Sequence, residues 1–132
     1  MKTLSLLPAN DVRFRRLSLA QGLSQTRVAQ IMQDDEGFIW FGTQHGVNRF
    51  DGYSFRVFKH DVGRAGSLSG VFIYALFNDS SGRVWVGSDQ GLDRFEKETE
   101  TFRHIRLGER DPIVIHISEG PRGKLWLATG QG

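Results

Sequence analysis

Three short segments of this chain alternate apolar with polar side chains: Phe14-Arg15-Arg16-Leu17, Phe55-Arg56-Val57-Phe58 and Phe102-Arg103-His104-Ile105. Successive side chains on a strand point to opposite faces, so each segment reads as a half-buried β-strand. Short apolar runs bounded by Gly, Asp, Asn and Ser lie between them and predict further strands. The first set is Val28–Gln33, 38–43, 47–51 and 54–59; the second is Ile73–Asn78, Val84–Ser88, 92–96 and 101–107; a third has 113–118 and Leu125–Thr129. The connections agree. In Asp34-Asp35-Glu36-Gly37 and Asp79-Ser80-Ser81-Gly82, an Asp carboxylate accepts backbone N–H groups and a glycine supplies the positive φ that closes a hairpin. Asp51-Gly52 carries the signature of a two-residue hairpin loop.

These strands recur because the sequence does. Residues 37–50 read GFIWFGTQHGVNRF and residues 82–95 read GRVWVGSDQGLDRF, in register at the 45 positions that separate Trp40 from Trp85. A shorter copy, GKLWLATGQG at 123–132, puts Trp126 41 positions after Trp85 and Gly132 where Gly46 and Gly91 stand. A repeat of this length is one supersecondary unit used again, and four antiparallel strands in such a unit make the blade of a β-propeller. The expected fold is therefore all-β: a partial β-propeller of about two and a half four-stranded antiparallel blades, at 25–60, 70–107 and 112–132, plus one N-terminal outer strand around Phe14. Closed propellers typically use about four to eight blades. A ring left open at both ends exposes unpaired strands and apolar faces, so the chain by itself is expected to associate, aggregate or unfold at modest temperature.

Composition supports the strands and excludes other classes. With 16 Gly, 3 Pro and 10 Phe the mixture suits short strands joined by tight turns. The 17 Lys and Arg are interspersed with 15 Asp and Glu for a net charge of +2, with no basic run to track phosphates, so no nucleic-acid partner is expected. The absence of cysteine removes disulfides, thiol nucleophiles and thiolate metal sites. Residues 1–12 read as a disordered segment or the remnant of an export signal. The apolar patch at 4–7 is too short for a signal-peptide core or a membrane span, so no signal peptide is visible.

The pattern G-x-[IVL]-W-[FVL]-G-[TS]-x-x-G-[LV]-x-R-F, preceded by a strand ending in Asp, resembles the two-component regulator propeller repeat. The resemblance covers roughly residue 14 to the end, with Ala128 in place of Gly42 and Gly87, and Gly120 in place of Asp34 and Asp79. In that family such repeats form the extracytoplasmic sensor of membrane proteins, followed by a tyrosine-rich β-sandwich, a membrane helix and a histidine kinase or diguanylate cyclase. The resemblance implies a periplasmic or extracytoplasmic sensor portion of a bacterial receptor. Its partners would be an unknown small-molecule or glycan ligand, the remaining blades, a downstream output domain and a second copy of the parent in a homodimer. No cofactor is implied.

Individual residues are weighed on that framework. Trp40, Trp85 and Trp126 offer stacking platforms for a sugar, but an aromatic at one position in every unit is better explained as packing between blades, largely buried. Gly42, Gly87, Gly46 and Gly91 read as bends and close approaches, without the strand-to-helix setting of a phosphate cradle. Arg49 and Arg94 are expected to pair with turn carboxylates or carbonyls of a neighbouring blade rather than hold an anion. Asp34, Asp35 and Asp79 lack the alternating ligands of a calcium loop and suit turns, so no metal is expected. The candidate ligand-binding residues are Gln44, His45, Asp89, Gln90 and Arg64, on turns and the 60–70 loop of one face, where a rigid scaffold carries variable loops. No nucleophile elbow, recurring carboxylate pair or zinc motif is present, and no catalytic residue is assigned. The leading function is a binding module; a propeller enzyme of lyase or glycosidase type and a protein-interaction scaffold are the alternatives.

Overall fold

The computed structural model describes residues 28–130. The strand expected around Phe14, the segment 1–12 and Gly132 lie outside them. Ten strands follow one another: β1 Val28–Gln33, β2 Ile39–Thr43, β3 Gly46–Phe50, β4 Phe55–Phe58, β5 Ile73–Asn78, β6 Val84–Ser88, β7 Gly91–Glu96, β8 Thr101–Ile105, β9 Val114–Glu119 and β10 Leu125–Thr129. They form two four-stranded sheets, β1-β2-β3-β4 and β5-β6-β7-β8, and a two-stranded sheet of β9 and β10. Every pairing is antiparallel between sequence neighbours. The all-β class is as expected, and among the described residues no helix is long and apolar enough to cross a membrane.

The turns show why these residues close hairpins. Asp34 Oδ1 accepts the backbone N–H groups of Glu36 (2.9 Å) and Phe38 (3.0 Å). Asp79 Oδ1 does the same for Ser81 and Arg83, both at 2.9 Å. In the next turn the hydroxyls of Thr43 and Ser88 accept the amides of His45 (3.0 Å) and Gln90 (3.1 Å). Gly46 then leaves that turn at φ +104, with a Cβ position only 2.3 Å from the Phe58 carbonyl, so no side chain fits there. The Asp51-Gly52 signal gives a different loop from the one expected. Phe50 pairs with Phe55, so the loop has four residues, 51–54. Asp51 Oδ1 accepts both Tyr53 N–H and Ser54 N–H at 2.8 Å, which winds the chain further than a two-residue turn does.

Each first strand carries a β-bulge. The ladder skips Ala29 between Val28 and Gln30, Tyr74 between Ile73 and Ala75, and Ile115 between Val114 and His116. These three stand at one repeat position. A bulge turns its extra residue out of the ladder and re-aims the side chain.

The sheets stack face to face. One core joins the first two, with Met32, Trp40, Val47 and Phe58 against Ile73, Leu76, Val84, Val86, Phe95 and Phe102. A second joins the second and third, with Ala75, Trp85 and Leu92 against Val114 and Ile117. Trp40 lies nearly parallel to Phe58 (5.9 Å, 12°) and edge-on to Phe95 (4.9 Å, 72°). Close approach of sheets is what Gly42 and Gly87 permit: a Cβ there would sit 2.7 Å from Ile73 Cγ2 and from Val114 Cγ1. At the other end of the sheets, Asn78 Nδ2 donates to Asp35 Oδ1 (2.8 Å), and Ser80 N–H and Oγ–H donate to the Glu119 carboxylate (2.9 and 2.7 Å).

Two expectations need correction. Trp40 and Trp85 are buried at 1% and 8% exposure, but Trp126 is 63% exposed. Trp40 and Trp85 are covered by the sheet that comes next in the chain, and among the described residues no sheet covers Trp126. Arg49 donates to Glu100 Oε2 in the turn of the next sheet (2.6 Å), as expected, with Arg56 on the other carboxylate oxygen. Arg94 instead pairs with Glu96 on its own strand (3.0 Å), because the two-stranded third sheet supplies no counterpart of Glu100. Glu100 sits at φ +55, a conformation ordinary residues avoid. Glu100→Gln should keep the turn and lower stability by about 1 kcal/mol, the scale of a paired surface carboxylate; an Arg49→Ala/Glu100→Gln double-mutant cycle by denaturant unfolding checks the coupling.

Candidate functional site

The first strands β1, β5 and β9 lie beside one another, so the bulged positions share the inner edge of the stack. There a depression of about 410 Å³ opens among Val28, Ala29, Thr43, Gln44, Phe72 and Tyr74. The Phe72 and Tyr74 rings lie 6.2 Å apart and 18° from parallel, and Phe72 is 44% exposed although it is a large aromatic. Among the described residues no charged side chain lines the depression. Its chemistry is a two-ring aromatic face with the Gln44 side chain at its margin; the Thr43 hydroxyl beneath is buried and committed to Gly46 O (2.9 Å) and His45 N–H (3.0 Å). Such a surface stacks against the flat apolar side of a neutral ring and offers hydrogen bonds at the ring's edge.

The predicted site residues divide. Gln44 belongs to this depression, and His45 and Gln90 are exposed at the tips of their turns. Asp89 acts behind it: Oδ1 accepts the N–H groups of Val71 (3.0 Å) and Phe72 (3.1 Å), which fixes the backbone carrying the Phe72 ring. Arg64 is not brought to the same place. It lines a separate groove of about 510 Å³ near β4 and β8, with Arg56, Lys59 and Glu100. The loop that carries Arg64 is ordered by other groups. Asp61 Oδ1 accepts Gly63 N–H (3.1 Å), Ser67 Oγ donates to Asp61 O (2.9 Å), and Phe102 N–H donates to Gly66 O (2.7 Å). Phe72 and Tyr74 escaped sequence reasoning. Their signal was variation within the repeat: the position of Tyr74 holds Ala29 in the first unit and Ile115 in the third.

A second cluster was also missed. On β8, His104 Nδ1 lies 2.9 Å from Ser69 Oγ and 3.1 Å from Asp93 Oδ1, while Nε2 lies 2.9 Å from Asp111 Oδ2. Ser69 also donates its hydroxyl (2.7 Å) and its backbone N–H (2.9 Å) to the buried Asp93 carboxylate. Serine, histidine and aspartate together invite a nucleophilic reading. Yet the hydroxyl is committed to Asp93, and neither depression includes it. The arrangement suits holding a proton. Partial burial disfavours the imidazolium, but the hydrogen bonds and charges of Asp111 and Asp93 outweigh it and raise the His104 pKa. Among the described residues no group of three or more His, Asp or Glu side chains is arranged to hold a metal ion.

Stacked four-stranded antiparallel sheets, each with a bulged inner strand and an Asp-turned hairpin, define this as a propeller-repeat protein. The two-component regulator propeller model matches residues 22–45 and 67–90, and those stretches are two-component regulator propeller repeats. The extracellular domain of BT3049 of B. thetaiotaomicron, assigned to a hybrid two-component system, is 29% identical with a TM-score of 0.76 over 87% of this chain and 17% of that one. The extracellular domain of BT4673 from the same organism shares the fold, at 24% identity and a TM-score of 0.71 over 91% of this chain and 18% of that one. Histidine kinase P4 of Formosa agariphila is 38% identical over 56 residues, which are 42% of this chain and 4% of that protein. The chain thus spans a small part of the length of each relative.

Proposed function

We propose that this chain is the ligand-sensing propeller portion of a bacterial signal-transduction receptor on the extracytoplasmic side of the inner membrane, a binding module without catalysis of its own. In this reading 25–60 and 70–107 are two blades and 112–132 half of a third. They pack with the receptor's remaining blades, and a histidine kinase or diguanylate cyclase, in a homodimeric parent, reads the bound state. The likeness to the extracellular domain of BT3049 supports the placement. The observation that carries the binding role is the stacked pair of exposed Phe72 and half-buried Tyr74 beside Gln44 at the inner edge. Its uncharged lining favours a neutral small molecule or glycan.

An aromatic stacking contact is worth about 0.5–1.5 kcal/mol, so Tyr74→Ala should weaken binding by up to about tenfold without altering the sheet. The experiment is a titration of the receptor's extracellular region with neutral oligosaccharides, followed by NMR chemical shifts. Shifts are expected at Gln44, Phe72 and Tyr74, with the sugar recovered intact. A ligand seated against the Asp34 and Asp79 turns would overturn the choice of face; a cleaved sugar would favour the propeller-enzyme reading.

A further inference from the structure

We infer that His104 is a proton-operated latch, which ties the β8–β9 connection to the second sheet when both ring nitrogens carry protons and releases Asp111 when the ring becomes neutral. The charged groups that face it are Asp93 from β7 and Asp111 from the connection; Ser69 faces it from the connection before β5. Both nitrogens thus meet a carboxylate oxygen, at 3.1 and 2.9 Å. The imidazolium satisfies both, since each nitrogen then donates. A neutral ring has one N–H, so one carboxylate loses its donor.

The loss falls on Asp111. Asp93 keeps both Ser69 donors, but a lone pair on Nδ1 would face its buried carboxylate where water cannot screen the contact, which costs more than the same contact at half-exposed Asp111. The remaining proton therefore stays on Nδ1, toward Asp93, and Nε2 turns its lone pair to Asp111. The seat itself is tight: a Cβ on Gly91 would lie 3.1 Å from Asp111 Cβ and 3.3 Å from His104 Cε1. Six residues or fewer separate Asp111 from Val114 and Ile117, whose side chains pack in the core between the second and third sheets. Release of the connection thus loosens the approach to that core. The fold does not require the latch, because the register position held by Asp93 and His104 in the second sheet holds Asn48 and Val57 in the first.

The sign follows from the raised pKa. The contribution is complete below the ordinary imidazole value of 6.5 and is lost as pH rises through the higher value of the folded state. The test is amide hydrogen exchange of the whole chain across that range, corrected for intrinsic rates, with His104 followed by NMR. Protection of the Gly130 amide, which donates to Ile113 O (2.8 Å) where the connection enters β9, should fall as His104 deprotonates, by at most about tenfold per pH unit, the slope of one proton, while β2 and β3 stay unchanged. Asp111→Asn should remove this pH dependence and keep the sheet. Asp93→Asn/His104→Val, which installs the first sheet's pair, should remove it too. Protection of the Gly130 amide that is independent of pH, or a dependence that survives in Asp111→Asn, overturns the latch.

Discussion

Trp40→Ala is expected to destabilise the protein by about 3–5 kcal/mol, the range for emptying a buried large aromatic site, whereas Trp126→Ala should change stability by about 0.5 kcal/mol or less, as at a surface position. The two residues occupy the same place in the repeat, so the contrast isolates packing from local sequence. Trp40 touches Phe58 and Phe95 within the core between sheets, and its indole N–H donates to Asp34 Oδ2 at 2.8 Å. Removal leaves both a cavity and a buried carboxylate oxygen without its donor. Trp40→Phe separates these losses, because it retains a ring and forfeits the hydrogen bond. Urea unfolding checks the series. The Trp40→Ala midpoint should fall with little change in slope, and equal costs at Trp40 and Trp126 would mean that the core between the sheets is not where the stability resides.

The same comparison shows what the sequence made legible. Periodicity and turn residues report local geometry, so the strands fall within about two residues of their predicted ends and the turns at Asp34 and Asp79 form as read. Burial is set by what packs alongside, which the repeat alone does not specify. That is why Trp126 was expected inside and lies outside, and why Arg94 finds Glu96 rather than a neighbouring turn. The bulges were illegible because an extra residue in a ladder leaves no mark on composition, and with them Tyr74 was missed. His104, Asp93, Ser69 and Asp111 come from two strands and two connections and have no spacing signature. Of the candidate site, Gln44 was visible as a turn residue, while the aromatic surface beside it was hidden by its resemblance to ordinary strand.

The Asp that follows each of the first two inner strands, Asp34 and Asp79, is a turn residue by sequence, but the structure gives it a second task that predicts a large effect. Asp79 accepts Ser81 and Arg83 N–H groups on Oδ1, and the Trp85 indole N–H (2.9 Å) and Arg83 Nε–H (3.0 Å) on Oδ2. Asp79→Ala orphans the buried indole donor, at about 1–3 kcal/mol, and removes the turn's acceptor, at about 1 kcal/mol by analogy with a lost cap. A loss of about 3 kcal/mol is expected. Burial pushes the Asp79 pKa up, but the hydrogen bonds from Trp85, Arg83 and Ser81 outweigh it and hold the carboxyl below its ordinary 3.8. Its contribution is therefore present above that value and is lost as pH falls through the lower value of the folded state. The third unit shows the site without a carboxylate. There Gly120 replaces the Asp, and a Cβ on it would lie 1.8 Å from Trp126 Nε1, so the indole occupies the space an Asp side chain would need. Stability measured from neutral pH to about pH 2 should show a shallower acid limb in Asp79→Asn than in the unmodified chain. An identical acid limb, or an Asp79→Ala variant as stable as the parent, would show that the indole N–H is satisfied without this carboxylate.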